Sequence, residues 1–220
     1  MIEPKKIVRS RRKTIALVID SDGELIVRAP FYASENDILR FVREKQNWIE
    51  QKAKEMKQKT KERPRLSLQE GETIPYLGRE CMIFRGMTRK ICFDGNAFLL
   101  PESEDAGAKL VSWYKKRAAV ILKERVESIA EKMQVSPGGV RITSAKTRWG
   151  SCSYTNHLNF TWRLIMCPPE VVDYVVVHEL CHIIHKNHSK SFWNCVEGID
   201  TSYREHEKWL KENRRLMEVI

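Results

Sequence analysis

Hydrophobic and polar positions divide the chain into two unlike stretches. Residues 6–29 alternate, with Ile15-Ala16-Leu17-Val18-Ile19 and Leu25-Ile26-Val27 on either side of Asp20-Ser21-Asp22-Gly23. Alternation of period two around an Asp-Gly turn predicts a β-hairpin. Ser34-Glu35-Asn36-Asp37 then reads as a capping box opening a helix to about Thr60, with Ile38, Val42, Ile49, Ala53 and Met56 on one side. Arg63-Pro64 stops it, because the residue before a proline is pushed out of the helical region. From Leu66 to Leu100 short apolar runs return, punctuated by Gly71, Pro75, Gly78, Gly86 and Asp94-Gly95. The pattern predicts a β-rich N-terminal region, 1–105, with one inserted helix.

Pro101–Gly107 reads as a linker into the second stretch, 106–220. Val111, Tyr114, Ala118, Leu122, Val126, Ile129 and Met133 recur at steps of three and four, predicting a helix from about Ala108 to Met133. Pro137-Gly138-Gly139 ends it. Strands follow at about 140–148 and 158–165, joined around Tyr154-Thr155-Asn156, with Leu158, Phe160, Trp162 and Leu164 on one face. Pro168-Pro169 opens an apolar helix through Ile184. Ser189 suits the cap of a short helix, and Ser202-Tyr203-Arg204-Glu205 reads as a capping box for the last one. The expected class is α+β.

The apolar helix carries the chemistry. His178-Glu179-Leu180-Cys181-His182 has the form H-E-x-x-H. Residues four apart share a helical face about 6 Å apart along the axis, so both imidazoles reach one ion. Glu179 leaves the same turn and can hold a water without ligating. The flanking Val175, Val176, Val177, Leu180, Ile183 and Ile184 bury the helix, which makes an unpaired polar trio costly. Three sources compete for a third ligand. His185 shares the stripe of His178 but lies about 10 Å along the helix, too far unless the helix breaks before it. His188 follows Asn187, a residue that tolerates the left-handed turn ending helices, after which the chain can fold back. Glu197 or Glu205 is the carboxylate alternative. Spacing and turn chemistry favour His188. Cys181 departs in another direction and is not expected at the metal.

Composition narrows the setting. The chain has 220 residues, 42% of them hydrophobic, which suffices for a real core. No run of 18 apolar residues spans a membrane, and the N-terminus lacks the apolar stretch of a signal peptide, so a cytoplasmic location is expected. Six cysteines form no C-x-x-C pair and lie in apolar segments, the placement of reduced, buried thiols. Net charge is +10. Basic residues cluster at Lys5, Lys6, Arg9, Arg11, Arg12 and Lys13, and again between Lys52 and Arg65. Such runs usually solvate a surface, but they also allow weak nucleic-acid binding.

Several segments resemble the YgjP-like metallopeptidase family. They are Lys146-Thr147-Arg148-Trp149-Gly150-Ser151-Cys152-Ser153, Trp162-Arg163-Leu164-Ile165-Met166-Cys167-Pro168-Pro169-Glu170, Val177 to His182, and Asn187-His188-Ser189-Lys190-Ser191-Phe192-Trp193. The resemblance implies a compact zincin-like domain of helix, sheet and helices. It carries over His178, His182 and His188 as zinc ligands and Glu179 as the catalytic glutamate. The segment at His188 is also similar to the H-G-x-x-F segment of SprT-like proteases. Metzincins share the spacing from His178 to His188, but they need glycine where this chain has His185, so that label does not transfer.

The expected activity is zinc-dependent hydrolysis of peptide or protein substrates through a metal-activated water, with Glu179 as general base. Arg148, Tyr203 and His206 are candidates for contact with the substrate or transition state. Trp149 reads as a core anchor and Gly150 as a bulge; alternatively, Gly150 admits a close approach and Arg148 meets a substrate carboxylate. The rival reading is a nucleic-acid-associated protein, either a DNA-recruited protease or a binding module with a structural metal.

Overall fold

In a computed structural model, residues 2–20, 23–61 and 66–219 are described, with side chains for all of these except 57–61. The chain divides into two compact units, Met1–Pro64 and Arg65–Ile220. Together their described residues form six α-helices and three small sheets, an α+β protein.

The first unit begins with β1 (Pro4–Ser10), β2 (Ala16–Ile19) and β3 (Leu25–Pro30). β3 is central, antiparallel to β2 as the hairpin pattern predicts, and parallel to β1. Ser21 and Asp22 of the expected turn lie outside the described residues; Gly23 adopts φ 77° and its N–H donates to the Asp20 carbonyl. Leu25, Val27 and Ala29 alternate onto the buried face of β3, where they meet Ile38, Val42 and Ile49. The expected single helix is two, α1 (Glu35–Glu44) and α2 (Gln46–Lys61), parted at Lys45, whose φ of −101° and ψ of 12° leave the helical region. Ser34 caps α1 by accepting from the Asp37 N–H. The expected stop at Arg63-Pro64 lies outside the described residues.

In the second unit, β4 (Thr73–Tyr76), β5 (Arg79–Gly86), β6 (Cys92–Phe93) and β7 (Ala97–Pro101) form a sheet ordered β4-β5-β7-β6. Helix α3 (Ala106–Met133) starts two residues before its expected position and ends at Gln134, which takes the left-handed conformation three residues before the Pro-Gly-Gly stop. Residues 66–101 were grouped by pattern with the N-terminal region. Their buried side chains Ile74, Tyr76, Ile83, Phe98 and Leu100 share one core with Leu110, Tyr114, Ala118 and Leu122 of α3. Long-range packing makes this grouping, and no local pattern encodes it.

The next sheet departs from the hairpin expected over 140–165. β8 (Gly139–Thr143) runs parallel to β10 (His157–Thr161), and the antiparallel partner of β10 is the short β9 (Gly150–Cys152). The strand order is β8-β10-β9. Residues 144–149 are not strand, so β9 alone forms the arm that turns at Tyr154–Asn156. After Thr161 the chain winds into a 3-10 turn, Trp162–Met166, with Trp162 and Leu164 still buried.

Helix α4 (Pro169–Ile184) follows Pro168-Pro169 as expected. Its approach is fixed by the tip of the β4–β5 turn. Leu77 N–H donates to the Ile165 carbonyl at 2.8 Å, and a Cβ on Gly78 would sit 2.8 Å from the Pro168 Cα. Gly78 also has φ 76°, so both space and backbone require glycine there. On the other side, one guanidinium nitrogen of Arg125 of α3 donates to both carboxylate oxygens of Asp173 of α4, at 2.8 and 3.1 Å. α5 (Lys190–Ile199) and α6 (Tyr203–Glu212) then pack on α4. The Ser202 side chain does not cap α6 as the capping box predicts; its carbonyl accepts from the Glu205 N–H instead.

Candidate metal centre and its cleft

α4 is buried along most of its surface, by Val171, Val172, Val175, Val176, Leu180 and Cys181 among others. The remaining stripe carries His178 and His182, one turn apart, with ring centroids 5.0 Å from each other. The helix ends at Ile184. His185 is already extended, with φ −124° and ψ 106°. The expected left-handed stop at Asn187 is therefore not used: Asn187 has no positive φ, and the chain leaves the helix two residues earlier. This break meets the condition set for His185, yet His185 does not join the cluster. Its backbone carbonyl faces His182 Nδ1 at 3.0 Å. A protonated Nδ1 donating there leaves the His182 Nε2 lone pair turned to the other imidazoles.

His188 closes the group. Its Nε2 lies 3.1 Å from His178 Nε2, and its ring is 4.7 Å from that of His182. Nitrogens of His178, His182 and His188 all fall within 4.8 Å of one another. Ser189 caps α5 by accepting from the Phe192 N–H, and this places the Phe192 ring beneath all three imidazoles at 4.5–4.9 Å. Glu197 and Glu205 are exposed and stand outside the group. Cys181 points away, its sulfur 3.0 Å from that of Cys195.

The donor set fits a cation. Two nitrogens bound tetrahedrally at roughly 2.0–2.1 Å stand about 3.4 Å apart, close to the 3.1 Å between His178 and His188. Burial, then the neighbouring His182 and His188, push the His178 pKa down to about 3. His178 is thus held neutral, and the three rings converge with no carboxylate among them. His178 Nδ1 is buried and has no hydrogen-bond partner among the described residues.

Glu179 is 6% exposed. The backbone N–H of Cys152 on β9 acts on its carboxylate and favours the charged form. It also lies directly against Gly150, where a Cβ would stand 2.6 Å from Oε1 and 2.7 Å from Cγ. What Gly150 admits is this side chain, rather than a bulge or a second backbone. Burial raises the Glu179 pKa to about 7, against the lowering pull of the Arg148 guanidinium and the Cys152 N–H.

A cleft of about 340 Å³ opens beside these groups. Its walls include Arg148, Trp149 and Gly150, then Tyr174, His178 and Glu179 of α4, and Glu207, Leu210 and Lys211 of α6. Of the three residues suggested by sequence for substrate contact, Arg148 alone lines this cleft. Tyr203 stacks on Trp193 at 5.5 Å and accepts from Arg204, while His206 is engaged by Asp200 at 2.8 Å. Tyr174 was not singled out from sequence. It stands one turn before His178, and that i−4 spacing was the available signal.

A model of the YgjP-like metallopeptidase domain matches residues 13–213. The chain belongs to the YgjP-like metallopeptidase family. Membership makes it a metal-dependent peptidase in general terms, and the three converging imidazoles are where a metal can sit. No curated protein matches the chain. Among solved structures it is similar to the metallopeptidase zymogen abylysin of Pyrococcus abyssi, with 20% identity and a TM-score of 0.38 over 41% of this chain and 93% of that one. No helix among the described residues is long and apolar enough to cross a membrane.

Proposed function

We propose that this family member is a zinc peptidase in which His178, His182 and His188 hold the ion and Glu179 is the general base. One observation carries the reading: the buried Glu179 carboxylate and His178, one of three convergent imidazoles, line the same cleft of about 340 Å³. All-nitrogen donors, two of them spaced close to tetrahedral ligands, suit zinc, and three protein ligands leave a position open for reaction. When bound, zinc supplies Lewis acidity to the scissile carbonyl and to a water.

The chain's own residues do the rest. Glu179, with its pKa near 7, can accept a proton from the attacking water at neutral pH and return it to the departing amine. Gly150 gives that carboxylate its place, and the Cys152 N–H favours its charged form. Arg148 and Tyr174 line the same cleft and supply charged and neutral donors for the oxygen that gains charge as the carbonyl is attacked. Burial raises the Tyr174 pKa, so its phenol stays protonated and able to donate. β9 is the terminal strand of its sheet, so an extended substrate can lie alongside it.

The test is metal analysis of the purified protein, followed by proteomic cleavage profiling of the zinc-loaded enzyme against Glu179→Gln. The amide keeps an acceptor for the Cys152 N–H but cannot take a proton. Zinc content and fold should persist while turnover falls by ~10²–10⁴. Wild-type turnover in that variant would remove Glu179 from the reaction.

A further inference from the structure

A second cleft, of about 350 Å³, lies on the outer face of the β8-β10-β9 sheet. It shares Arg148, Trp149 and Gly150 with the first. Its remaining walls are Arg141, Thr143, Ala145, Ser151, Asn159 and Thr161. Strand register explains why these polar residues meet. Arg141 pairs with Asn159, and Asn159 pairs with Ser151, so one rung crosses all three strands. Side chains in register project from the same face. Leu158 and Phe160, out of phase, fill the core instead.

The chemistry of the lining is one-sided. Two guanidinium groups face the cleft and no carboxylate does. Neither guanidinium makes a hydrogen bond or ion pair among the described residues, although Arg148 acts on Glu179 through space. The threonines are already committed, Thr143 to the Phe160 carbonyl and Thr161 to the Ala145 carbonyl. Asn159 and Ser151 are joined by a long 3.4 Å contact, which leaves donor capacity for a ligand. Donors outnumber acceptors, and planar forks match the two oxygens of a carboxylate.

We infer that this outer cleft is a carboxylate subsite, so that the enzyme selects peptides bearing an acidic residue near the scissile bond. The inference rests on the peptidase reading. A substrate strand beside β9 would turn alternate side chains toward the face of Ser151 and the others toward Gly150 and Glu179. An Asp or Glu on the outer face would lean over Ser151 toward Arg148 and Arg141. The cleft has room for one or two side chains. Apart from Trp149 it offers no aromatic platform, so a nucleic-acid strand fits it less well than a peptide carboxylate.

The experiment uses the zinc-loaded full chain and two amidated, acetylated pentapeptides, Ala-Ala-Glu-Ala-Ala and Ala-Ala-Gln-Ala-Ala. Binding is measured calorimetrically to the Glu179→Gln protein. The Glu peptide should bind roughly tenfold or more tighter. Arg141→Gln should erase that preference while leaving the Gln peptide unchanged, and Arg141→Glu should shift preference toward a Lys peptide. Arg141 is exposed and outside the catalytic group, so these variants should melt like wild type. Equal affinity for the two peptides, or a preference untouched at Arg141, overturns the subsite. So does Arg141-dependent binding of oligothymidylate without binding of the Glu peptide. Hydrolysis is scored separately. An acidic preference in binding without wild-type hydrolysis would sink the peptidase reading alone; hydrolysis without acidic preference would sink the subsite alone.

Discussion

The two units bury very different material. In the first, the described core is Leu25, Val27, Ala29, Ile38, Val42 and Ile49, with no buried polar or charged side chain. The second buries Thr161, Arg163 and Glu179 amid its apolar core, all within the stretch that leads into and through α4. A buried carboxylate is costly, and the raised pKa of Glu179 expresses that cost directly. The first unit keeps its described core apolar. The second departs from that around α4, where the Glu179 carboxylate is buried against a glycine that admits it, beside three converging imidazoles. Such departures mark function more sharply than any motif standing alone.

The largest effect that would sharpen this contrast lies in two histidines three residues apart. His188→Ala removes a ring whose Nε2 faces His178 at 3.1 Å. Zinc affinity should fall by more than the ~10–100-fold that loss of an outer partner costs. His185 contributes its backbone carbonyl to His182, which alanine retains. His185→Ala should therefore change zinc affinity less than tenfold. Competitive chelator titration reads both. If His185→Ala proves the more damaging, the chain past Ile184 folds back differently around the ion.

These histidines also show what was legible in the sequence. The H-E-x-x-H spacing fixes a helical face, and Ser189 announces the helix that seats Phe192 under the rings. The apolar run ends the helix at Ile184, but the way the chain turns there, with no left-handed residue at Asn187, was not legible. It rests on the departure of the chain from α4 before Asn187, the residue with the better local claim to end it. Likewise β8 reads as one arm of a hairpin because its alternation is correct. Its parallel pairing with β10 depends on partners that no window of the sequence contains. Gly150 is the clearest case. A glycine after Trp149 suggests a bulge, and nothing nearby says that Glu179, 29 positions later, occupies the space of its missing Cβ.

That contact gives the next effect in size. Gly150→Ala places a methyl group 2.6 Å from Glu179 Oε1 and 2.9 Å from Cδ. The carboxylate must move, and a displacement near 1 Å in a reacting group costs up to ~10²-fold in rate. The predicted outcome is a kcat lower by ~10–100-fold, zinc content unchanged, and a modest drop in melting temperature from overpacking. Full activity in a folded Gly150→Ala enzyme would mean that Glu179 acts from a different position than the one it holds against β9.

The smallest effects belong to the first unit, where charge decorates a conventional core. Its basic residues are not equivalent. Arg9 donates to the carbonyls of Pro30, Phe31 and Ala33 at 2.6–3.2 Å, pinning the chain as it leaves β3. Lys5, Lys6, Arg11 and Lys13 are exposed. Arg9→Ala should therefore lower stability by about 1–3 kcal/mol, seen in denaturant unfolding, because the part-buried carbonyls of Pro30 and Ala33 lose a charged donor. Neutralising the four exposed residues should change stability by no more than ~0.5 kcal/mol. Their effect, if any, belongs to nucleic-acid binding. We expect that binding to be weak and independent of sequence, with the slope of log K against log salt flattening by ~0.9 for each residue that had neutralised a phosphate on duplex DNA. Peptide hydrolysis should be indifferent to all four. A salt titration with duplex and single-stranded DNA, run on wild type and on the quadruple variant, separates the outcomes. Tight binding that survives the four substitutions would show that the first unit carries a built recognition surface, and the contrast between a plain unit and a chemically costly one would fail.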